Sequence, residues 1–240
     1  MSSRRNAVLE RFFNSLISGD RCEARRVVDE LLEADCSATK ILHQLFWPTL
    51  QQVQNLHRHD QLSDLAYQYA IRILRQMVDQ MQLRLGQRDR RGVTVLLVCG
   101  AEQSEEVAAQ MAADLLEADG YTVYFPGGGV ANDEIVEQIG LLQADKLVVF
   151  GAVPQTVPYT RLLIDRLHDI GVCPKLQIIV GGGVFNRADG LAEEIGADLW
   201  ASSPAELVEA INASPERRMA QDQRTVGRRR RQNTKQRDAA

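Results

Sequence analysis

Between Val93 and Ala201 five short apolar runs alternate with helical patterns, and this alternation restricts the fold more than any other feature of the chain. Val93-Thr-Val-Leu-Leu-Val-Cys99 is almost continuously apolar and β-branched, the pattern of a strand buried on both faces of a parallel sheet. Gly100 ends it. Apolar positions then recur at Val107, Met111 and Leu115 and at Ala108, Ala112 and Leu116, a helix that turns one face to the sheet. Gly120 stops that helix before Tyr121-Thr-Val-Tyr-Phe125, and strand, helix and strand together make one right-handed βαβ unit. The alternation continues with a helix through Ile135, Val136, Ile139 and Leu142, then the strand Lys146 to Phe150 and a helix from about Tyr159 to Ile170. Leu176 to Val180, a short helix near Ala188 to Ile195, Asp198 to Ala201 and a last helix from Pro204 to Asn212 complete it. The expectation is an α/β fold, a five-stranded doubly wound parallel sheet of flavodoxin-like order 2-1-3-4-5.

Upstream, residues 1–86 read as a four-helix bundle. Its first helix, from about Arg5 to Ser18, carries Val8, Leu9, Phe12, Phe13 and Leu16, and the second, from about Arg21 to Ala34, carries Val27, Val28, Leu31 and Leu32. The third starts at the cap Ser37 and runs toward Leu56 with a kink expected at Pro48. The fourth runs from Ser63 to Gly86. Residues 87–92, Gln-Arg-Asp-Arg-Arg-Gly, have nothing to bury and read as a flexible linker. Residues 93–213 form the sheet domain. Residues 214–240 lose all apolar periodicity and are expected to be disordered.

Charge separates the two ends of the chain. The tail from Ser214 holds nine Lys or Arg against three Asp or Glu, a net of +6, which leaves −10 on a body whose total with the tail is −4. Arg228, Arg229, Arg230 and Arg231 form an unbroken basic run that could meet nucleic acid phosphates or an acidic protein, although no aromatic is interleaved to stack on bases. No apolar run is long enough to cross a bilayer, and the N-terminus leads into charged helix without an apolar signal core, so a cytoplasmic protein with no membrane contact is expected. Cys22, Cys36, Cys99 and Cys173 are scattered, which points to buried structural thiols rather than disulfides or a zinc site.

Ligands in such sheets gather at the carboxyl ends of the strands. Those ends are Gly100-Ala101, Gly151 and Gly181, which lack the acidic residues and lysine of a phosphoaspartate receiver. Glu102, Glu105 and Glu106 crowd the first helix start and answer its dipole, so a nucleotide phosphate there would be repelled, and capping explains them better than paired-carboxylate catalysis. No Ser, His and Asp arrangement occurs, and His168, the one histidine of the sheet domain, falls at a helix end. An enzyme is not expected. The triplets Gly127-Gly-Gly129 and Gly181-Gly-Gly183, after strands two and four, suggest a groove.

The helical bundle followed by this sheet, with Ile179-Val-Gly-Gly182 after strand four and Gly196-Ala-Asp-Leu-Trp-Ala201 at strand five, resembles the cobalamin-binding modules of methionine synthase, corrinoid methyl carriers and light-sensing transcriptional regulators. The resemblance implies a corrinoid held between a helical cap and the sheet, with its nucleotide tail entering the sheet beside Gly181 and Gly182. The family's first loop reads Asp-x-His-x-x-Gly, with the His beneath cobalt. Aligned on Gly100, this chain has Ala101, Gln103 and Glu106, and Gln103 is no substitute for an imidazole. Gly151 matches the family's Ser or Thr after strand three. In the cap, His57 falls near the Trp of the light sensors, with Tyr67 and Gln68 at their Glu-His, so His57 or His59 is a candidate upper ligand.

Three readings follow. The chain is a non-catalytic cobalamin-binding regulator or sensor, holding a corrinoid with its own base as lower ligand or with His57 or His59 ligating from the cap, and with transcriptional control and self-association among its implied roles. Alternatively it has abandoned cobalamin for another tetrapyrrole or for none and serves as an interaction scaffold. In the third reading it is a corrinoid methyl-carrier subunit.

Overall fold

The computed structural model describes residues 2–151, 154–171 and 173–218. The basic run Arg228 to Arg231 lies outside the described residues. The helical part comprises α1 (Ser2–Ser18), α2 (Arg21–Glu33), α3 (Ala38–Ile41), α4 (Trp47–Arg58) and α5 (Asp64–Gln82). Asp20 and Ser37 cap α2 and α3, each side-chain oxygen accepting backbone N–H groups of the first turn. The break expected at Pro48 takes the form of a π-helical stretch, Leu42–Phe46, between α3 and α4. Proline offers no N–H to the preceding turn. Thr49 Oγ1 donates to the Leu45 carbonyl at 2.7 Å there.

The sheet part follows as β1 (Thr94–Val98), α6 (Gln103–Ala118), β2 (Thr122–Tyr124), α7 (Asn132–Leu142), β3 (Lys146–Phe150), α8 (Val157–Ile170), β4 (Gln177–Gly181), α9 (Leu191–Glu194), β5 (Leu199–Ala201) and α10 (Pro204–Ala213). All four strand pairings are parallel, and the order is β2-β1-β3-β4-β5 as the sequence predicts. One face of the sheet, with Leu96, Val98, Leu147, Val149, Ile178 and Val180, packs under α7 and α8. The other, with Val95, Leu97, Val148, Phe150 and Ile179, belongs to one continuous core that includes α6, α10 and the helical bundle.

Helix α6 departs from the amphipathic expectation. Twelve of its sixteen residues are buried, because the bundle covers the face turned away from the sheet. The segment 87–92 is likewise not a free linker. Arg88 and Arg91 N–H donate to the Ala118 and Gly120 carbonyls at 2.8 and 2.9 Å, and the Arg91 guanidinium reaches the Asp119 carboxylate at 2.6 Å and Asn212 at 2.8 Å. The acceptors left at the end of α6 account for this, since such carbonyls favour cationic donors. Residues 214–218, expected to begin a disordered tail, are also held. Buried Lys146 donates from Nζ to Gln177 and to the Pro215 carbonyl at 2.7 and 2.9 Å, and Gln177 Nε2 donates to the Ser214 and Arg217 carbonyls at 2.9 and 3.0 Å. A buried ammonium and amide require such partners. The cysteines are less buried than expected, Cys22 being exposed and the other three half-buried. Among the described residues no helix is long and apolar enough to cross a membrane.

Asp114, at the centre of α6, is buried with Oδ1 accepting from Gln110 at 2.7 Å and Oδ2 without a partner. Burial, reinforced by Asp79 of α5 and by Glu117, pushes its carboxyl up to about 7. From about pH 4 to pH 7 the folded chain therefore keeps a proton that the unfolded chain has lost, and stability falls as pH rises through this window. Asp114→Asn is expected to flatten that slope and to raise stability at pH 8 by about 1–3 kcal/mol, measured by urea unfolding at pH 5 and pH 8.

Candidate functional site

The carboxyl ends of the strands open into a cleft of about 610 Å³ roofed by the bundle. The roof comes from the last turn of α4 and the first turns of α5, which supply Gln54, His57, Arg58, Tyr67 and Gln68. Ser63 caps α5, its hydroxyl accepting the Ala66 N–H at 3.3 Å, and so places Tyr67 one turn in. The floor comes from the start of α6 with Glu102, Gln103 and Ser104, from Gly151 and Gln155 around the β3 end, and from Gly183 and Arg187 after β4.

Within the cleft the His57 ring lies stacked on Tyr67, centroids 3.9 Å apart and planes at 14°. His57 Nε2 is paired with Asp64 Oδ1 at 2.9 Å, which leaves Nδ1 as the nitrogen available to another group. His59 is not on the cleft wall, and its Nδ1 donates to the Asn55 carbonyl at 2.8 Å. Tyr67 of the roof and Ser104 of the floor line the same cleft, and burial holds the Tyr67 phenol above the usual range. Arg187 is pushed down by burial and then by the like charge of Arg58. The two guanidiniums thus oppose each other across one cleft.

The glycines play several parts. Gly151 is on the cleft wall, at φ +86°, and a Cβ there would come within 3.0 Å of the Glu105 carbonyl oxygen. Gly100 is off the wall and lies against the buried Glu105 side chain, whose carboxylate would be 2.2 Å from a Cβ on Gly100. That carboxylate also accepts the Glu102 N–H at 3.1 Å, so Glu105 caps its own helix, as the sequence suggests. Glu106 reaches back to Arg75 of α5 at 2.7 Å. Gly128 runs against the β1 end, bridging to Cys99, and a Cβ on it would lie 1.9 Å from the Gly100 carbonyl oxygen.

Gly181 and Gly182 do not line a tail cavity. Gly181 pairs with Phe150 in the sheet register, and the Phe150 ring covers both glycines; a Cβ would meet it at 2.6 Å from Gly181 and 3.0 Å from Gly182. Phe150 is fully buried and its ring centroid is 5.9 Å from that of Trp47 in the bundle. The sequence offered one signal of this, an aromatic ending an otherwise aliphatic strand directly before Gly151. Arg58, Arg187 and Trp47 carried no such signal.

Two family models, each described as a B12 binding domain, match residues 93–210 and 8–82. The chain belongs to the B12-binding domain family. Among curated relatives of this B12-binding chain, dimethylamine corrinoid protein 3 of Methanosarcina mazei is 25% identical over 103 residues, 43% of this chain and 60% of that protein. Monomethylamine corrinoid protein 2 of Methanosarcina barkeri is 25% identical over 120 residues, 49% of this chain and 54% of the relative. The matched stretch thus spans about half of the relatives' length. Among solved structures, a monomethylamine corrinoid protein of Methanosarcina barkeri superposes with a TM-score of 0.64 at 17% identity, covering 85% of this chain and 96% of that one, a likeness of fold.

Corrinoids are the cofactors of this family, and the residues present fit one in part. The cleft has the volume of a small-molecule site and is lined by side-chain amides and guanidiniums that suit the amide-bearing rim of a corrin ring. Among the described residues no cluster of three His, Cys, Asp or Glu side chains could hold a bare metal ion. Burial, with Glu105 and Glu106 nearby, pushes the Cys99 thiol up to about 12, which favours its neutral form. The sheet beneath the ring, filled by Phe150, does not fit a nucleotide tail.

Gly128→Ala is expected to force the Gly100 loop aside, to lower stability by about 1–3 kcal/mol and to reduce ligand retention in the cleft. Urea unfolding and a spectroscopic retention assay check the two effects.

Proposed function

We propose that this chain is a non-catalytic corrinoid carrier module, which holds the ring between roof and floor and presents it to a partner protein where the chemistry occurs. The observation that carries the reading is the cleft itself, placed at the carboxyl ends of the strands of a B12-binding sheet and closed above by a second B12-binding segment. The curated relatives are named as corrinoid proteins of methylamines, which favours the carrier reading over the sensor or transcriptional role that the resemblance also implied. The regulatory role would rest on the basic run at Arg228 to Arg231.

A corrinoid supplies a cobalt centre able to hold and release an alkyl group. The chain's own contribution is binding and exclusion. Gln54, Gln68, Gln103 and Gln155 would offer side-chain amides to the ring rim. His57 is the protein group that would hold a cobalt centre: its Nε2 pairing with Asp64 would orient the imidazole and leave Nδ1 to ligate, the arrangement in which a carboxylate orients a ligating imidazole.

The test is to mix the protein with hydroxocobalamin in the dark, desalt, and record the absorption spectrum. About one corrinoid per chain is expected to stay bound, with an imidazole-ligated spectrum that His57→Ala abolishes while the protein stays folded. Absence of retained corrinoid overturns the reading. Retention with an unchanged spectrum in His57→Ala removes His57 from the upper face.

A further inference from the structure

We infer that the bound corrinoid keeps its nucleotide loop in the cleft, outside the sheet, with its own base still on cobalt. The inference rests on the corrinoid reading above and specifies which form of the cofactor this site accepts.

The argument is one of occupied space. A nucleotide entering the sheet would have to pass beside Gly181 and Gly182, where the absence of Cβ atoms leaves room. Here that room is filled by the chain itself. The Phe150 ring lies over both glycines, with the Ala201 carbonyl oxygen 2.7 Å from where a Cβ on Gly181 would be. The ring is fully buried, and Trp47 closes it from the bundle side. Moving Phe150 aside would require repacking around it, since packed interiors hold few voids. On the other side of the entry Glu105 is also fully buried, its carboxylate against Gly100 and its backbone against Gly151.

The floor gives a matching result. Gln103, the first residue of α6, occupies the wall below the ring, and a side-chain amide is a poor cobalt ligand beside an imidazole. A tail moved into the sheet would leave the lower face without a strong ligand, whereas a tail kept in the cleft supplies one. The nucleotide loop also carries a phosphodiester. Arg58 and Arg187, which line the cleft with the Asp60 and Glu102 carboxylates, offer that anion two guanidiniums whose like charges it would relieve.

The experiment compares wild type, Gln103→His and the double variant Gln103→His with Phe150→Ser, each mixed with adenosylcobalamin in the dark, desalted and examined by absorption, with circular dichroism to confirm folding. Wild type is expected to retain cobalamin with the spectrum of the base-coordinated cofactor. Gln103→His alone is expected to leave that spectrum unchanged, because the tail has nowhere to go. The double variant, where folded, is expected to shift to a spectrum with the cofactor's base displaced and the new imidazole on cobalt. A displaced-base spectrum in wild type, or in Gln103→His alone, overturns the inference while leaving the corrinoid reading intact. A folded double variant that still shows the base-coordinated spectrum also overturns it, since Phe150 is then not the barrier. No retained corrinoid in any form overturns the corrinoid reading itself, and this inference with it.

Discussion

The rest of the structure depends on the burial of α6 on nearly every side. Its small residues, Ala108, Ala109, Ala112, Ala113 and Ala118, let neighbouring elements approach closely, while Val107, Met111, Leu115 and Leu116 fill the gaps between them. The sheet and α10 lie on one side and α5 on the other, so a single core runs from Phe12 in the first helix to Ile211 in the last. A helix enclosed in this way cannot be exposed without disrupting both parts of the chain. This is also why the structure tolerates Asp114, whose unpartnered oxygen is a cost set against extensive apolar burial.

The cleft is a consequence of that arrangement. Docking α5 on α6 brings the Ser63 cap and the first turn of α5 over the start of α6, and Tyr67 and Ser104 line one cleft there. The α6 N-terminus, which would otherwise draw an anion, is answered by its own glutamates, Glu105 inward and Glu106 toward Arg75. Positive charge in the cleft comes instead from Arg58 and Arg187, one from each wall. The cleft wall offers side-chain amides and two guanidiniums beside the Asp60 and Glu102 carboxylates, and the nearby Cys99 thiol is pushed up by burial.

Two departures from the family pattern, Gln103 and Gly151, lie on the floor of the cleft, and beneath it Phe150 occupies what Gly181 and Gly182 leave free. The changes are mutually consistent. A ligand loop without an imidazole accompanies a sheet without a channel, and the side chain filling the channel is packed as part of the core rather than inserted loosely into a cavity.

Much of the fold was legible in the sequence because strand and helix periods are local. Lys146 to Phe150 and Asn132 to Leu142 are read with their observed limits, and the parallel order follows from connections of helical length that must be right-handed. Gln103, Gly151, Tyr67 and His57 were also legible as cleft residues, since family position and strand-end geometry both point to them. The ordering of 87–92 and 214–218 was not, because it depends on acceptors at the end of α6 and on Lys146 and Gln177, remote in sequence. Nor was the fate of Gly181 and Gly182. Two glycines state only that a Cβ is absent; whether a ligand or a side chain takes the space is decided by Phe150 and by Trp47, some hundred residues away. By itself the sequence determined the layers, the strand order and the edge of the sheet where a ligand would bind, because these follow from periodicity and handedness. Only the tertiary structure decided which of the spaces at that edge are open, because close packing is a property of atoms brought together from distant parts of the chain.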